Sequence, residues 1–216
     1  MTELWTAVDS YLVGALQPHD PALEGALNRS REAGLPEIAV APNQGKLLHL
    51  LARIAGARRI LEVGTLGGYS TIWLARALTA EGHLTTLEVD PKHAAVARAN
   101  LDAAGVGERV EILVGPALDS LAGLDQVYDL VFIDADKTNN PAYVEQAIRL
   151  SHPGTVIVVD NTVRSGAVAE ADSTDPAILA TRRMFELLAD HPRIDATTVQ
   201  TVGSKGHDGF TLALVT

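Results

Sequence analysis

Apolar positions change character near residue 57. Before it they recur at helical spacing; after it, short β-favouring runs alternate with helical stretches. In residues 2–16, Leu4, Trp5, Val8, Tyr11, Leu12 and Leu16 form a helical stripe. Pro18 and Pro21 end that helix and begin a second, which carries Leu23, Ala26 and Leu27 to about Ala33, where Gly34 and Pro36 stop it. An extended piece, Ile38–Ala41, precedes a third helix over Asn43–Ala55, with Asn43 in the N-cap region. Strands are then expected at Arg59–Val63, His83–Val89, Val110–Val114, Tyr128–Ile133 and Thr155–Val159. Helices are expected at Gly68–Thr79, Pro91–Ala104, Ala117–Leu121, Pro141–Leu150 and Pro176–Ala189. The runs YDLVFI and TVIVV are almost wholly apolar, as central parallel strands are. Asn161–Asp175 reads as a long loop, and the last two runs, Asp195–Gln200 and Gly209–Val215, lack a helix between them and should pair antiparallel. Periodicity alone therefore says α/β with a mostly parallel sheet. No linker interrupts the chain, so residues 1–216 are expected to form one domain, a helical cap over 1–56 and an α/β core over 57–216.

Composition narrows the function classes. The chain has 216 residues, 47% of them hydrophobic, which suits one core. No apolar run reaches the roughly 20 residues of a membrane span, and MTELWTAVDS lacks the basic and apolar regions of a signal peptide. The absence of cysteine excludes a disulfide, a thiol nucleophile and a thiolate metal site, and makes the cytoplasm the expected location. With a net charge of −10 and no concentrated basic patch, nucleic acid is not an expected partner.

The chemistry begins at ILEVGTLGGYS, residues 60–70. A strand, a turn with Gly64, Gly67 and Gly68, and a helix start make the first half of a nucleotide-binding βαβ unit. A dinucleotide fingerprint needs glycine two positions after Gly64, where this chain has Leu66, a side chain in the space of a pyrophosphate. Glu88 ends the second strand 24 residues after Gly64, where a carboxylate can accept from both ribose hydroxyls. The ligand thus looks like an adenosine without phosphates. Glu62, at the tip of an apolar strand, places a second charge near the same crevice.

The fourth and fifth strands end in Asp134-Ala135-Asp136-Lys137 and Asp160-Asn161, and parallel strands open on a common edge. Asp134, Asp160 and Asn161 offer hard oxygen donors without His or Cys, which suits Mg²⁺, Mn²⁺ or Ca²⁺. An octahedral ion so held keeps positions for a water and two substrate oxygens, as a vicinal diol would supply. Lys137 beside a divalent cation is disfavoured as an ammonium, and a neutral lysine can serve as general base. The loop after Asn161 makes Arg164 a candidate substrate contact, able to pair with a carboxylated or phosphorylated aromatic; Tyr143 is a second candidate. Asp136 carries no role and reads as a loop residue, and the seven histidines are scattered without metal-ligand spacing.

From about Val40 to the C-terminus the chain resembles the metal-dependent O-methyltransferases that include catechol and plant caffeoyl-CoA O-methyltransferases. EVGTLGGYST resembles their S-adenosylmethionine loop, bringing in Gly64, Thr65 and Gly68; LTTLEVDP resembles their ribose-binding strand end; VGPAL resembles the adenine-side loop, with the Ala117 backbone presented there. FIDADK and VDNT resemble the segments that carry the metal chemistry. The resemblance implies a Rossmann-like seven-stranded sheet with an antiparallel last strand, helices on both faces and extra N-terminal helices. It also implies that Ser70 and the Val40 backbone hold the donor's carboxylate, Glu62 lies near its ammonium, Asp134 serves donor and metal, and Lys137 is the base. A homodimer, with an aromatic diol as acceptor, is the corresponding expectation. Two other readings stay open on residues alone: a silent module binding S-adenosylmethionine or its product, which would have no use for the acid–lysine set, and an NAD-dependent oxidoreductase, opposed by Leu66.

Overall fold

The structure is a computed structural model describing residues 2–216; Met1 of the expected cap lies outside the described residues. Three helices come first: α1 (Thr2–Leu16), α2 (Pro21–Glu32) and α3 (Pro42–Ile54). The alternating part follows as β1 (Arg59–Val63), α4 (Tyr69–Ala75), β2 (His83–Glu88), α5 (Pro91–Ala103), β3 (Val110–Val114), α6 (Ala117–Gly123), β4 (Tyr128–Ile133), α7 (Asn140–Arg149), β5 (Ser151–Asp160), α8 (Pro176–Asp190), β6 (Ile194–Gly203) and β7 (Gly206–Val215). They form one seven-stranded sheet in the order β3-β2-β1-β4-β5-β7-β6. The neighbours among β1 to β5 are parallel, and β7 runs antiparallel to both β5 and β6. The strand order reverses between β1 and β4, so the crevice beyond their C-terminal ends is the topological switch point, where ligands bind in such sheets.

Both faces of the sheet are covered, which is why its central strands are apolar without alternation. On one face Leu48 and Ala52 of α3, Ile72 and Trp73 of α4 and Leu101 of α5 pack on Ile60, Leu84, Leu130 and Phe132. On the other, Tyr143, Val144 and Ile148 of α7 with Met184 and Leu188 of α8 pack on Leu61, Val63, Val131 and Ile157.

Several boundaries differ from the sequence expectation, each for a local reason. The helix expected over Gly68–Thr79 is the shorter α4, which starts after Gly68 in a left-handed conformation. Asn43 lies inside α3, not at its cap: Ala41 is the N-cap, and the Asn43 Nδ2 donates to Asp9 of α1 at 3.0 Å. α2 is capped by Asp20, whose carboxylate accepts from the N–H groups of Ala22 and Leu23. β5 begins at Ser151, earlier than expected, and the β4–β5 pairing shifts register between Tyr128 and Leu130. The closing strands are longer than their apolar runs because β6 is an exposed edge, extended by pairing with β7 instead of by burial. The long loop contains a short 3₁₀ segment, Arg164–Ala169.

Candidate active site

A cavity of about 900 Å³ opens at the switch point, walled by the ends of β1, β2 and β4, by the cap segment Leu35–Pro42 and by the loop after β5. Gly64, Thr65, Ser70, Glu88, Ala117, Asp134, Lys137, Tyr143, Asn161, Arg164 and Val40 all contribute to that wall. The fold thus gathers on one cavity residues that are far apart in the chain.

The glycine turn is held tightly. Gly64 has φ +101°, and a Cβ there would lie 2.3 Å from the Asp134 carbonyl oxygen, so only glycine allows β1 and β4 to approach at this level. Leu66, which borders the cavity, is also left-handed, with φ +48°. Its N–H donates to Glu88 Oε2 at 2.7 Å, with a longer bond from Thr65 N at 3.3 Å, while Glu88 Oε1 accepts from Asp90 N at 3.0 Å. Three backbone donors therefore fix the Glu88 carboxylate at the end of β2, and His93 stands 3.6 Å from its Oε1.

Glu62 occupies a different position from the one its place in the sequence suggests. It has no exposed surface and forms no part of the cavity wall. Its carboxylate accepts from Ser70 Oγ at 2.6 Å, Thr71 Oγ1 at 2.5 Å and Thr86 Oγ1 at 2.7 Å. Burial pushes its pKa up to about 7 against the pull of those three donors, with Asp134 adding to the rise. Glu62 is the post beneath the turn, and its bond to Ser70 orients a side chain that does reach the cavity.

The acid cluster assembles at the neighbouring strand ends. Lys137 Nζ donates to Asp134 Oδ1 at 2.7 Å, and both side chains are largely buried. Asp160 is 4% exposed, and its pKa is raised to about 7, first by burial and then by the charge of Asp134, partly offset by Lys137. Asn161 is left-handed, with φ +55°, a conformation that asparagine tolerates better than most residues, and its N–H donates to Asp160 Oδ1 at 2.8 Å. Gln44 of α3 adds a small downward pull on the Asp160 pKa, a neighbour that no local spacing announces.

Tyr143 lines the cavity with its hydroxyl turned to Asp136, to which it donates at 2.5 Å. Asp136 is thus more than a loop residue: it also accepts from Thr138 and Asn139, and those bonds hold its carboxyl below the usual range despite partial burial. The Tyr143 phenol is shifted upward by burial and by this bond. Arg164 has φ +55° and is followed by left-handed Ser165 and Gly166; Asp208 Oδ1 accepts from its N–H at 2.9 Å and from Val163 N at 3.1 Å, pinning the loop at the cavity edge.

The donor set suits a hard divalent cation. Two carboxylates lie in one partly buried corner with a single lysine, and burial first, then the charge of Asp134, disfavours the ionised form of Asp160. Among the described residues no three His, Cys, Asp or Glu side chains converge, so such an ion would need the Asn161 carboxamide beside Asp134 and Asp160.

A family model described as O-methyltransferase matches residues 19–215. A catechol O-methyltransferase of Mycobacterium tuberculosis is 56% identical over 209 residues, covering 96% of this chain and 94% of that protein. The structure of an O-methyltransferase from Bacillus cereus in complex with S-adenosylhomocysteine superposes with a TM-score of 0.98 at 53% identity, covering 100% of both chains. The structure of an O-methyltransferase from Streptomyces achromogenes, involved in tomaymycin synthesis and in complex with S-adenosylmethionine, gives 0.96 at 51% identity, covering 100% of this chain and 98% of that one.

Proposed function

The chain belongs to the S-adenosylmethionine-dependent O-methyltransferases, and on that footing we propose that it is a divalent-cation-dependent enzyme methylating one hydroxyl of a small aromatic vicinal diol. The observation that carries this is the meeting of two sets on one cavity: the glycine turn with Glu88, and Asp134, Lys137 and Asn161 with Asp160 behind them. The name of the M. tuberculosis relative supports the acceptor class.

Each residue has a task in this reading. Glu88, already fixed by three backbone N–H groups, keeps acceptor capacity for the ribose hydroxyls of the donor. Ser70, Val40 and the backbone of the turn receive its amino-acid end, and the Ala117 backbone borders its adenine. Asp134, Asp160 and Asn161 would hold the cation, which supplies Lewis-acid polarisation of the acceptor's hydroxyl when bound. Lys137 Nζ takes the proton from that hydroxyl; its bond to Asp134 Oδ1 keeps the amine at the cavity wall. The remaining work of the chain is alignment: the acceptor oxygen must stand in line with the methyl and the sulfur, and rigid strand ends are suited to that. Arg164 and Tyr143 border the acceptor's side and shape what enters. The protein acts as one domain in the cytoplasm, without nucleic acid or membrane; no helix among the described residues is long and apolar enough to cross a membrane.

We further infer that the working form is a homodimer. Leu4, Val8, Tyr11, Leu12 and Leu16 of α1 are exposed, an apolar stripe that a second copy would cover.

The test is methyl transfer from labelled donor to a panel of catechols, with Mg²⁺ or with EDTA, for the natural protein and Asp160→Ala. The expected outcome is transfer that requires the cation and falls by a factor of about 10 to 100 or more in the variant. Transfer that is indifferent both to EDTA and to Asp160→Ala overturns the metal dependence, and no transfer to any catechol overturns the acceptor class.

A further inference from the structure

We propose that Asn100 of α5 is a positioning residue for the methyl donor: its carboxamide fastens the glycine turn to the cap helix α2 and thereby sets the shape of the turn that the donor meets. The inference rests on the donor lying along that turn.

Asn100 has no exposed surface. Its Nδ2 donates to the Gly67 carbonyl oxygen at 2.8 Å, to Ala26 O of α2 at 3.2 Å and to Ser30 Oγ at 3.3 Å. Its Oδ1 accepts from Arg29 Nε at 2.6 Å. An amide has two N–H groups, so the short bond to Gly67 takes one and the two longer contacts on α2 share the other. One side chain therefore joins three separate pieces of backbone: α5, α2 and the turn.

The turn is shaped to this joint. A Cβ on Gly67 would lie 2.1 Å from Ser30 Oγ, and a Cβ on Gly68 would lie 3.3 Å from the Ala97 Cβ of α5. The two glycines are thus pressed against α2 and α5 respectively, and Asn100 bonds across both contacts. Gly67 is not left-handed, so what disfavours a side chain there is Ser30, whose hydroxyl would have to rotate away and whose Cβ would lie 3.1 Å off, not backbone conformation. α2 also brings Leu27, Ser30 and Arg31 to the cavity wall, so the helix held by Asn100 is itself part of the site. Without the carboxamide, Gly67 O and Arg29 Nε lose their partner in a buried place, where Arg29 Nη2 already lacks one among the described residues. A turn carbonyl left so will move, and it moves at the donor's position.

Asn100 sits on the buried face of α5 with Ala94, Ala97 and Leu101, which pack the helix to the core without it. Its loss should therefore register in donor binding more than in the transfer step. Asn100→Ala is expected to weaken S-adenosylhomocysteine binding about tenfold by calorimetry and to raise the donor KM to match, with kcat at saturating donor close to that of the natural protein. Gly67→Ala should weaken binding through the clash with Ser30, and Gly67→Ala with Ser30→Gly should recover most of that loss. Glu88→Ala serves as the control for the donor's placement. Unchanged affinity in Asn100→Ala alongside weakened affinity in Glu88→Ala overturns the role of Asn100. Unchanged affinity in both variants means the donor does not lie on the turn, and the proposed site falls instead. A fall in kcat with donor affinity unchanged also overturns the proposal. If Asn100→Ala does not fold, Asn100→Asp decides, since it keeps an oxygen for Arg29 and loses the donor to Gly67 O: unchanged S-adenosylhomocysteine affinity in that variant overturns the proposal.

Discussion

Lys137 and Glu62 separate two uses of a buried charged group. Lys137 borders the cavity and bonds Asp134 Oδ1, and the proposed mechanism gives its amine the proton of the acceptor's hydroxyl. Lys137→Met should lower kcat by about 100-fold or more with little change in donor affinity, as initial rates and calorimetry would show. Glu62 forms no part of the cavity wall and reaches it only through Ser70; it ties the start of α4 to β1 and β2 through three hydroxyls. Its pKa, raised by burial to about 7 from 4.5, lies above the unfolded value. The stability it contributes is therefore full below pH 4.5 and is lost as pH rises through about 7. Thermal melts of Glu62→Gln should gain on the natural protein from pH 5 to about pH 7 and level off above it; a difference that does not vary with pH would remove this account. In both residues the neighbours, not the residue type, decide the role.

Strands carry the site residues to one edge, and a second cluster fixes the opposite edge. Asp129 of β4 accepts from the N–H groups of Arg58 and Arg59 at 2.8 Å each, and from His152 Nε2 of β5 at 2.9 Å. The clamp holds the start of β1, β4 and β5 together where the β4–β5 register shifts, and regular pairing from Leu130↔Val156 to Ile133↔Val159 carries the two strands on to Asp134 and Asp160. His152 is shifted upward by its bond to Pro153 O and then by Asp129, and Asp129 is held below its usual value by these donors despite partial burial. The histidine's contribution is full below its unfolded pKa of 6.5 and is lost as pH rises through its higher folded value. Asp129 contributes above its unfolded value of 3.8 and loses that contribution as pH falls through its lower folded value. His152→Ala should therefore cost stability at pH 5.5 and almost none at pH 8.5, by no more than about 1 kcal/mol since the pair is partly exposed. Denaturant titrations at the two pH values check the sign.

For the whole molecule, the helical cap has two duties. α2 and the segment Leu35–Pro42 roof the cavity, whereas α1 contributes nothing to its wall. α1 is held instead by Asp9, which accepts from Asn43 Nδ2 of α3 at 3.0 Å and from Ser204 N in the β6–β7 turn at 2.7 Å. α1, outside the cavity wall and with an exposed apolar stripe, is the surface that the proposed homodimer uses. Tyr11 and Leu16 are 75% and 76% exposed, so their replacement by aspartate loses no internal packing. Light scattering should give a dimer for the natural protein and a smaller species for the Tyr11→Asp, Leu16→Asp variant with its fold intact. A monomeric natural protein would refute the dimer.

What the sequence alone determined is whatever local spacing encodes. Unbroken apolar runs mark strands covered on both faces, and parallel strands share an edge, so Glu88, Asp134 and Asn161 could be assigned to one crevice from their places at strand ends, whereas Asp160 is buried beside it and forms no part of its wall. The edge strand β6 was only partly legible, because its residues are exposed and its length comes from pairing. Only tertiary structure decided which groups meet across elements. Asn100 reaches a carbonyl 33 positions away, Gln44 of the cap faces Asp160, and Glu62 is enclosed by hydroxyls from α4 and β2. Periodicity records which face of an element is buried. It does not record which polar group on a neighbouring element will stand within 3 Å of it, and the bond from Asn100 Nδ2 to Gly67 O at 2.8 Å is set by how α5 packs against the turn.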